Sequence, residues 1–311
     1  MLKKFKQLLS LLFQLRKLDQ NIEEIKINQG RILTVMQCEL SLKKLWEYEF
    51  KIFSQWGEDG IIQFLTKNLI IKNHTFIEFG VGDFSESNCR FLMMKDRWRG
   101  YVIDSSFLNI KRLCSFYFYW QNQINSKLSF ITRENVKEVL NESGFDKKIG
   151  ILSVDIDGMD YHVLEEALKE WLPSILIVEY NEIFGWGAPI TVPYEPYFKR
   201  ILKHPSNKYY GANLPAFTHL ANQYGYGFVG TNSVGSNAFF VRRELLNEKV
   251  KESDIFFYKR QSSFRESLNT KGELDFLSNN SLLRSMSNLP IFNIKSGLVV
   301  SIKDLLIDDG R

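Results

Sequence analysis

The residues best placed to do chemistry begin at Glu78, within the run Thr75-Phe-Ile-Glu-Phe-Gly-Val-Gly-Asp83. Phe76, Ile77 and Phe79 favour an extended strand. Gly80 and Gly82 then let the backbone turn sharply and approach a ligand with no Cβ in the way. Glu78 stands at the strand end, where a carboxylate can face a cationic or hydroxyl-bearing group. A second acid, Asp104, closes the next apolar stretch, Gly100-Tyr-Val-Ile-Asp104, 22 residues beyond Gly82. At that spacing a second-strand carboxylate takes both hydroxyls of a ribose. The pattern predicts a nucleotide-type ligand at the opening of an α/β domain.

Further acids gather in Ser153-Val-Asp155-Ile-Asp157-Gly-Met-Asp160 and in Ile177-Val-Glu179-Tyr-Asn181. Strand alternation puts Ser153, Asp155 and Asp157 on one side, and Ile177, Glu179 and Asn181 on one side of the neighbouring strand. Such side chains meet at the carboxyl ends of parallel strands, where open α/β sheets bind ligands. So many carboxylates repel unless a cation compensates, and a cationic ligand, a divalent metal or nearby lysines would each serve. A magnesium-type ion on Asp157, Asn181 and Glu182 would acidify a bound hydroxyl and orient a diol. Alternatively Asp157 or His162 is the general base directly, or Asp157 and Asp160 merely cap the helix that starts near Tyr161.

Positioning these residues requires alternating strands and helices. Phe53 to Ile70 reads as a helix before the first strand, and Ser85 or Ser87 as the N-cap of the helix after it. Lys127 to Thr132 reads as a third strand, Asn135 to Gly144 as a helix, Ile149 to Asp155 as a fourth strand, Tyr161 to Leu172 as a helix and Ser174 to Asn181 as a fifth strand. This order predicts a doubly wound, mostly parallel sheet. Gly227 to Gly230 and Ala238 to Val241, separated by Gly, Asn and Ser, predict a terminal antiparallel hairpin. Trp186, on the loop after the fifth strand, and Tyr194 offer aromatic faces for a sugar ring or for packing.

On Ser54-Gln-Trp-Gly-Glu-Asp-Gly60, Phe76 to Asn88, Leu152 to Gly158 and Ile177 to Asn181, the chain resembles the class I S-adenosylmethionine-dependent methyltransferases, and within them the FkbM-type branch. The resemblance spans roughly residues 50 to 245; Phe84 in place of a third small residue and Asp104 in place of Glu depart from its pattern. It implies a seven-stranded Rossmann-like sheet. S-adenosylmethionine would be held by Gln55, Glu58, Glu78, Gly80, Gly82, Asp83, Asn88, Asp104, Ser105 and Asp155, with Trp186 and Tyr194 toward the substrate. The implied activity is O-methylation of a sugar hydroxyl on a glycan or glycolipid precursor, with Mg2+ or another divalent metal as a second cofactor. An NAD(P)-dependent sugar dehydrogenase and a non-catalytic scaffold of a glycan-assembly complex are the competing readings.

The 311 residues divide into an N-terminal helical arm, 1–48, a central domain, 50–245, and a C-terminal extension, 246–311, in which Ser278 to Asn288 reads as loop. A hydrophobic share of 44% supports a packed globule. Three scattered cysteines, Cys38, Cys89 and Cys114, exclude a disulfide framework and point to a reducing, cytoplasmic setting. The net charge of +4 resides in residues 1–20, where Lys3, Lys4, Lys6, Arg16 and Lys17 face only Asp19. The body has no basic stripe for nucleic acid. Leu8, Leu11, Leu15, Leu18, Ile22, Ile25, Gln29, Ile32 and Met36 form a heptad seam. It reads as a coiled coil joining a homo-oligomer, as a basic amphipathic helix peripheral on the inner face of a membrane, or as a helix folded on the body; Gly30 weakens it by about 1 kcal/mol relative to Ala.

Overall fold

A computed structural model describes residues 2–38, 40–259 and 266–304. Of the C-terminal extension, residues 260–265 and 305–311 lie outside them, as does the side chain of Leu8 in the seam.

The chain opens with the long helix α1 (Leu2–Cys38), followed by α2 (Glu58–Asn68), β1 (Thr75–Phe79), α3 (Arg90–Asp96), β2 (Arg99–Asp104), α4 (Phe107–Ser115), α5 (Tyr117–Gln121) and β3 (Ile124–Leu128). It continues through α6 (Val136–Asn141), β4 (Ile151–Val154), α7 (Asp160–Leu168), β5 (Ile175–Glu179), β6 (Ile190–Thr191), α8 (Leu214–Gln223), β7 (Tyr226–Thr231) and β8 (Asn237–Arg242). The last elements are α9 (Asn279–Ser285), β9 (Pro290–Asn293) and β10 (Leu298–Ser301).

Seven strands form one sheet in the order β3-β2-β1-β4-β5-β8-β7. β1 to β5 run parallel, whereas β8 is antiparallel to both of its neighbours. The central strands β1 and β4 are wholly buried, and their sequences are accordingly almost continuously apolar. Crossover from β3 back past β1 to β4 reverses the winding and opens a crevice at the carboxyl ends of β1 and β4. Strand order, the single reversed strand and the hairpin are those of the class I methyltransferase fold, as expected.

Several local expectations are corrected. The helix before β1 starts only at Glu58, because Asp59 binds the preceding segment into a loop, its Oδ2 accepting from the amides of Ile52, Phe53 and Ser54. Neither serine caps α3; its N-cap residue is Cys89, and the carboxylate that serves the helix start comes from β1. Ser278 to Asn288 is no loop, since Ser278 caps the helix α9. The extension also supplies β9, which pairs antiparallel with β6 and with β10, and so joins the loop after β5.

α1 meets the body along its second half. Gly30, Thr34 and Gln37 are buried there, and a Cβ on Gly30 would lie 2.3 Å from the Phe91 ring. The glycine is required by this close approach. Buried Arg90, on α3, pairs with Glu23 of α1 and lies over the Phe53 and Phe118 rings.

Candidate active site

The crevice holds a pocket of about 360 Å³, large enough for a nucleotide-sized ligand. The loop after β1 reaches it because of its two glycines. Gly80 has φ +73°, and a Cβ there would sit 1.5 Å from the Asp155 carbonyl oxygen. Gly82 has φ +56° with open space where a side chain would be, so bare backbone faces the pocket. Its N–H donates to Asp104 Oδ2 at 2.9 Å, tying the loop to the end of β2. Asp104 Oδ1 accepts from the Ser106 amide and from Asn109 Nδ2, which fixes the carboxylate in the pocket wall.

The loop after β4 is shaped by Asp160, whose carboxylate accepts from the amides of Ile156 at 2.7 Å and Gly158 at 2.9 Å. Burial pushes its carboxyl up to about 6, against those hydrogen bonds. The constraint turns Asp157 into the left-handed region, φ +58°, and aims it at the pocket. Phe198 lies over Gly158, where a Cβ would be 2.3 Å from its ring.

Asp155, Asp157 and Glu179 each place a carboxylate oxygen within 4.8 Å of the others. Burial raises Asp155 well above the usual carboxyl range, and Glu179, Asp157 and Asp160 add to it. Glu179 is pushed up to about 8, by burial first and then by Asp157 and Asp160. One Glu179 oxygen accepts from the Tyr210 hydroxyl at 3.2 Å; the carboxyl also interacts with that of Asp155, and its Oε2 is buried. Asp157 pairs with Arg200 at 3.0 Å. Desolvation in the pocket wall raises it and Arg200 pulls it back; with its side chain 55% exposed and paired with a cation, it is the acid of the three best able to stay ionised. Arg200 also meets Glu266, which binds Lys208 at 2.6 Å.

Of the residues anticipated from sequence, Gln55, Gly80, Gly82, Asp104, Ser105, Asp155, Asp157 and Glu179 line this one pocket. The others lie elsewhere. Glu78 turns inward, its carboxylate accepting from the Ser87 hydroxyl at 2.6 Å and the amides of Asn88 and Cys89; burial raises its carboxyl despite them. Asn88 donates its side-chain amide to Ser153. Glu58 is fully buried, accepting from Trp56, Asn232 and Asn237. Asp83 makes a turn with the Ser85 amide and pairs with Arg112.

The expected metal set is revised. Asn181 gives its amide protons to the carbonyls of Lys208 and Tyr210 and accepts from Ile183, which turns it toward the 208–210 segment, while Glu182 accepts from Asn279. Three carboxylates, Asp155, Asp157 and Glu179, form the compact oxygen set instead. His162 is buried against Val192, whose carbonyl its Nε2 meets at 2.9 Å, and burial lowers its pKa. It faces the Tyr194 ring and does not line the pocket. Tyr194 donates to Glu134, and Trp186 is buried edge-on to Tyr180; both pack, outside the pocket.

Arg200, Glu266, Phe130, Ile131 and Phe198 line the pocket without having been anticipated. Glu179 had been placed by strand alternation, which was the available signal. Arg200 and Glu266 lie outside every motif.

No family model matches this chain, and no curated protein matches it. Among solved structures it is similar to the methyltransferase domain of bacterial CtHen1-C, with 15% identity and a TM-score of 0.35 over 57% of this chain and 91% of that one. It is similar also to the N-terminal domain of EvdMO1 with SAH bound, at 8% identity and TM-score 0.34 over 54% and 72%. A third is a SAM dependent methyltransferase from Aquifex aeolicus, at 11% and 0.35 over 67% and 98%. Likenesses this distant carry no argument about activity. The class defined by the chain's own strand order is a methyltransferase-type α/β fold with an acidic pocket at its switch point.

Proposed function

We propose that this chain is an S-adenosylmethionine-dependent O-methyltransferase acting on a sugar hydroxyl of a glycan or glycolipid precursor. The observation that carries the cofactor assignment is the charge of the pocket. Asp104, Asp157 and Glu266 face a single cationic side chain, Arg200, among the described lining residues, and Asp155 and Glu179, in which burial favours the protonated form, would ionise toward a bound cation. Such a site attracts the sulfonium and ammonium of S-adenosylmethionine and repels the pyrophosphate of a nicotinamide dinucleotide. The sugar acceptor rests on the motif resemblance.

The cofactor, once bound, supplies an electrophilic methyl group. Asp104, held open by Gly82 and Asn109, takes the ribose hydroxyls, and the acids after β4 take the cationic end. Ile103, Phe130 and Ile131 give the pocket an apolar part that suits a flat base. Methyl transfer further needs alignment and removal of the hydroxyl proton. Glu179 is the proton acceptor in this reading: it lines the pocket, and a carboxyl raised to about 8 has a proton affinity suited to a general base. Asp157, paired with Arg200, holds the acceptor in place. The same three carboxylates are the hard oxygen donors that a magnesium-type ion takes, so a metal is a second reading of this cluster.

The test is calorimetric titration of the full chain with S-adenosylhomocysteine and with NAD, for wild type and Asp104→Ala, with and without EDTA. Micromolar binding of S-adenosylhomocysteine that Asp104→Ala abolishes is expected, and would justify assaying labelled methyl transfer to sugar acceptors. Binding of NAD alone would restore the dehydrogenase reading. Binding of neither leaves the scaffold reading, and a loss in EDTA restored by magnesium places a metal at the site.

A further inference from the structure

We infer that α1 joins two copies of this chain in a parallel, in-register coiled coil. In the heptad frame with Leu15, Ile22, Gln29 and Met36 at a and Leu11, Leu18, Ile25 and Ile32 at d, the residues that meet the body are Glu23, Gly30 and Gln37 at b, Ile27 and Thr34 at f, and Lys26 and Leu33 at e. Positions b and f lie on the side of a helix away from its a/d seam, with e at the flank of the seam. The body thus holds α1 mainly by its outer face and leaves the seam turned to solvent. This is shown residue by residue: the seven apolar seam residues from Leu11 to Met36 are 46–66% exposed, while Gly30, Thr34 and Gln37 are buried.

The occupant that fits is a second copy. A seam of spacing three and four is narrow and straight, as knobs-into-holes packing between helices requires. Seven side chains, each offering on the order of 100 Å² of apolar surface, together with flanking Val35, approach the roughly 800 Å² per partner of a stable interface. Gln29 selects the arrangement. Parallel and in register, its amide meets its own counterpart and both are hydrogen-bonded; antiparallel, it would face an aliphatic side chain and be buried unsatisfied. The flanking g positions Gln14, Asn21 and Asn28 are neutral, so no like charges oppose the pairing. Because the body sits on the outer face, two bodies can be carried on opposite sides of the pair.

Sedimentation equilibrium of the full chain tests this. Wild type is expected to behave as a dimer of 36.5 kDa chains at micromolar concentration. Leu18→Glu with Ile25→Glu should raise the dimer dissociation constant at least a hundredfold while leaving the unfolding of the body unchanged, since both side chains face water in the single chain. Gln29→Cys should form an interchain disulfide under mild oxidation, which only self-opposition allows. A monomeric wild type at 50 μM, or dimerisation without the Gln29→Cys disulfide, overturns the proposal. So does a monomer that floats with vesicles containing 30% phosphatidylserine, which assigns the seam to a membrane surface.

Discussion

Substituting Gly80 and Gly82 by Ala separates two effects that both glycines could serve. Each has a positive φ, +73° and +56°, so each alanine pays the left-handed penalty of about 1–2 kcal/mol. Only at Gly80 does the new methyl collide with backbone, 1.5 Å from the Asp155 carbonyl oxygen. Ordinary carbon–oxygen contact would require a separation about 2 Å greater. No side-chain rotation can relieve this, because both partners are main chain at the β1 and β4 ends. Overpacking of this kind costs a further 1–3 kcal/mol or more. Gly80→Ala is therefore expected to lose about 2–5 kcal/mol in urea unfolding and Gly82→Ala about 1–2, with unchanged m values. The ranking should narrow for the ligand: Gly82→Ala places a methyl in the open pocket and should weaken S-adenosylhomocysteine at least tenfold despite its small effect on stability. If the two variants unfold within 0.5 kcal/mol of one another, the close crossing of the two loops is wrong.

Glu179 gives a pH test. Its carboxyl lies near 8 in the folded chain against an ordinary 4.5, so the folded state binds the extra proton and stability falls as pH rises through that window. Relative to Glu179→Gln, wild type should lose on the order of 3 kcal/mol between pH 5 and 8, read from urea midpoints; equal slopes for the two would remove the buried acid cluster from the account. Gly30→Ala should destabilise by up to about 2 kcal/mol in thermal unfolding, because overpacking against Phe91 at about 1–3 kcal/mol outweighs a propensity gain of about 1 kcal/mol. A more stable variant would mean that α1 is not seated there.

Apart from β3 the sheet was legible, because its strands are short apolar runs separated by glycine, proline and polar turns, and because each glycine–acid motif is complete within a few residues; β3, expected at Lys127 to Thr132, lies at Ile124–Leu128, whose Asn-Ser-Lys centre gives no apolar signal. The pocket's glycines, Asp104 and Asp155 were legible for the same reason. Glu78 and Glu58 show the limit of that reading. A carboxylate beside a glycine turn looks the same whether it faces a ligand or caps a neighbouring helix, and in both cases the demand of buried amides decided. Asn181 was drawn inward likewise, by two carbonyls of the 208–210 segment. Arg200 and Glu266 were invisible for a different reason: their place depends on contacts between segments distant in sequence.

That last dependence sets an order of assembly. The half of the pocket that holds Gly80, Gly82, Asp104 and Asp157 is encoded within residues 75–160, by neighbouring parallel strands. The other half waits for Phe198, Arg200 and above all Glu266, more than a hundred residues beyond Asp157. During synthesis the nucleotide side is expected to form while the chain is still growing, since domains consolidate from the N-terminus as they emerge. The wall around Arg200 can close only once residue 266 has been made. Chains cut short before Glu266 would thus carry a formed ligand crevice with one side open, a distinction that pulse proteolysis of stalled nascent chains would show.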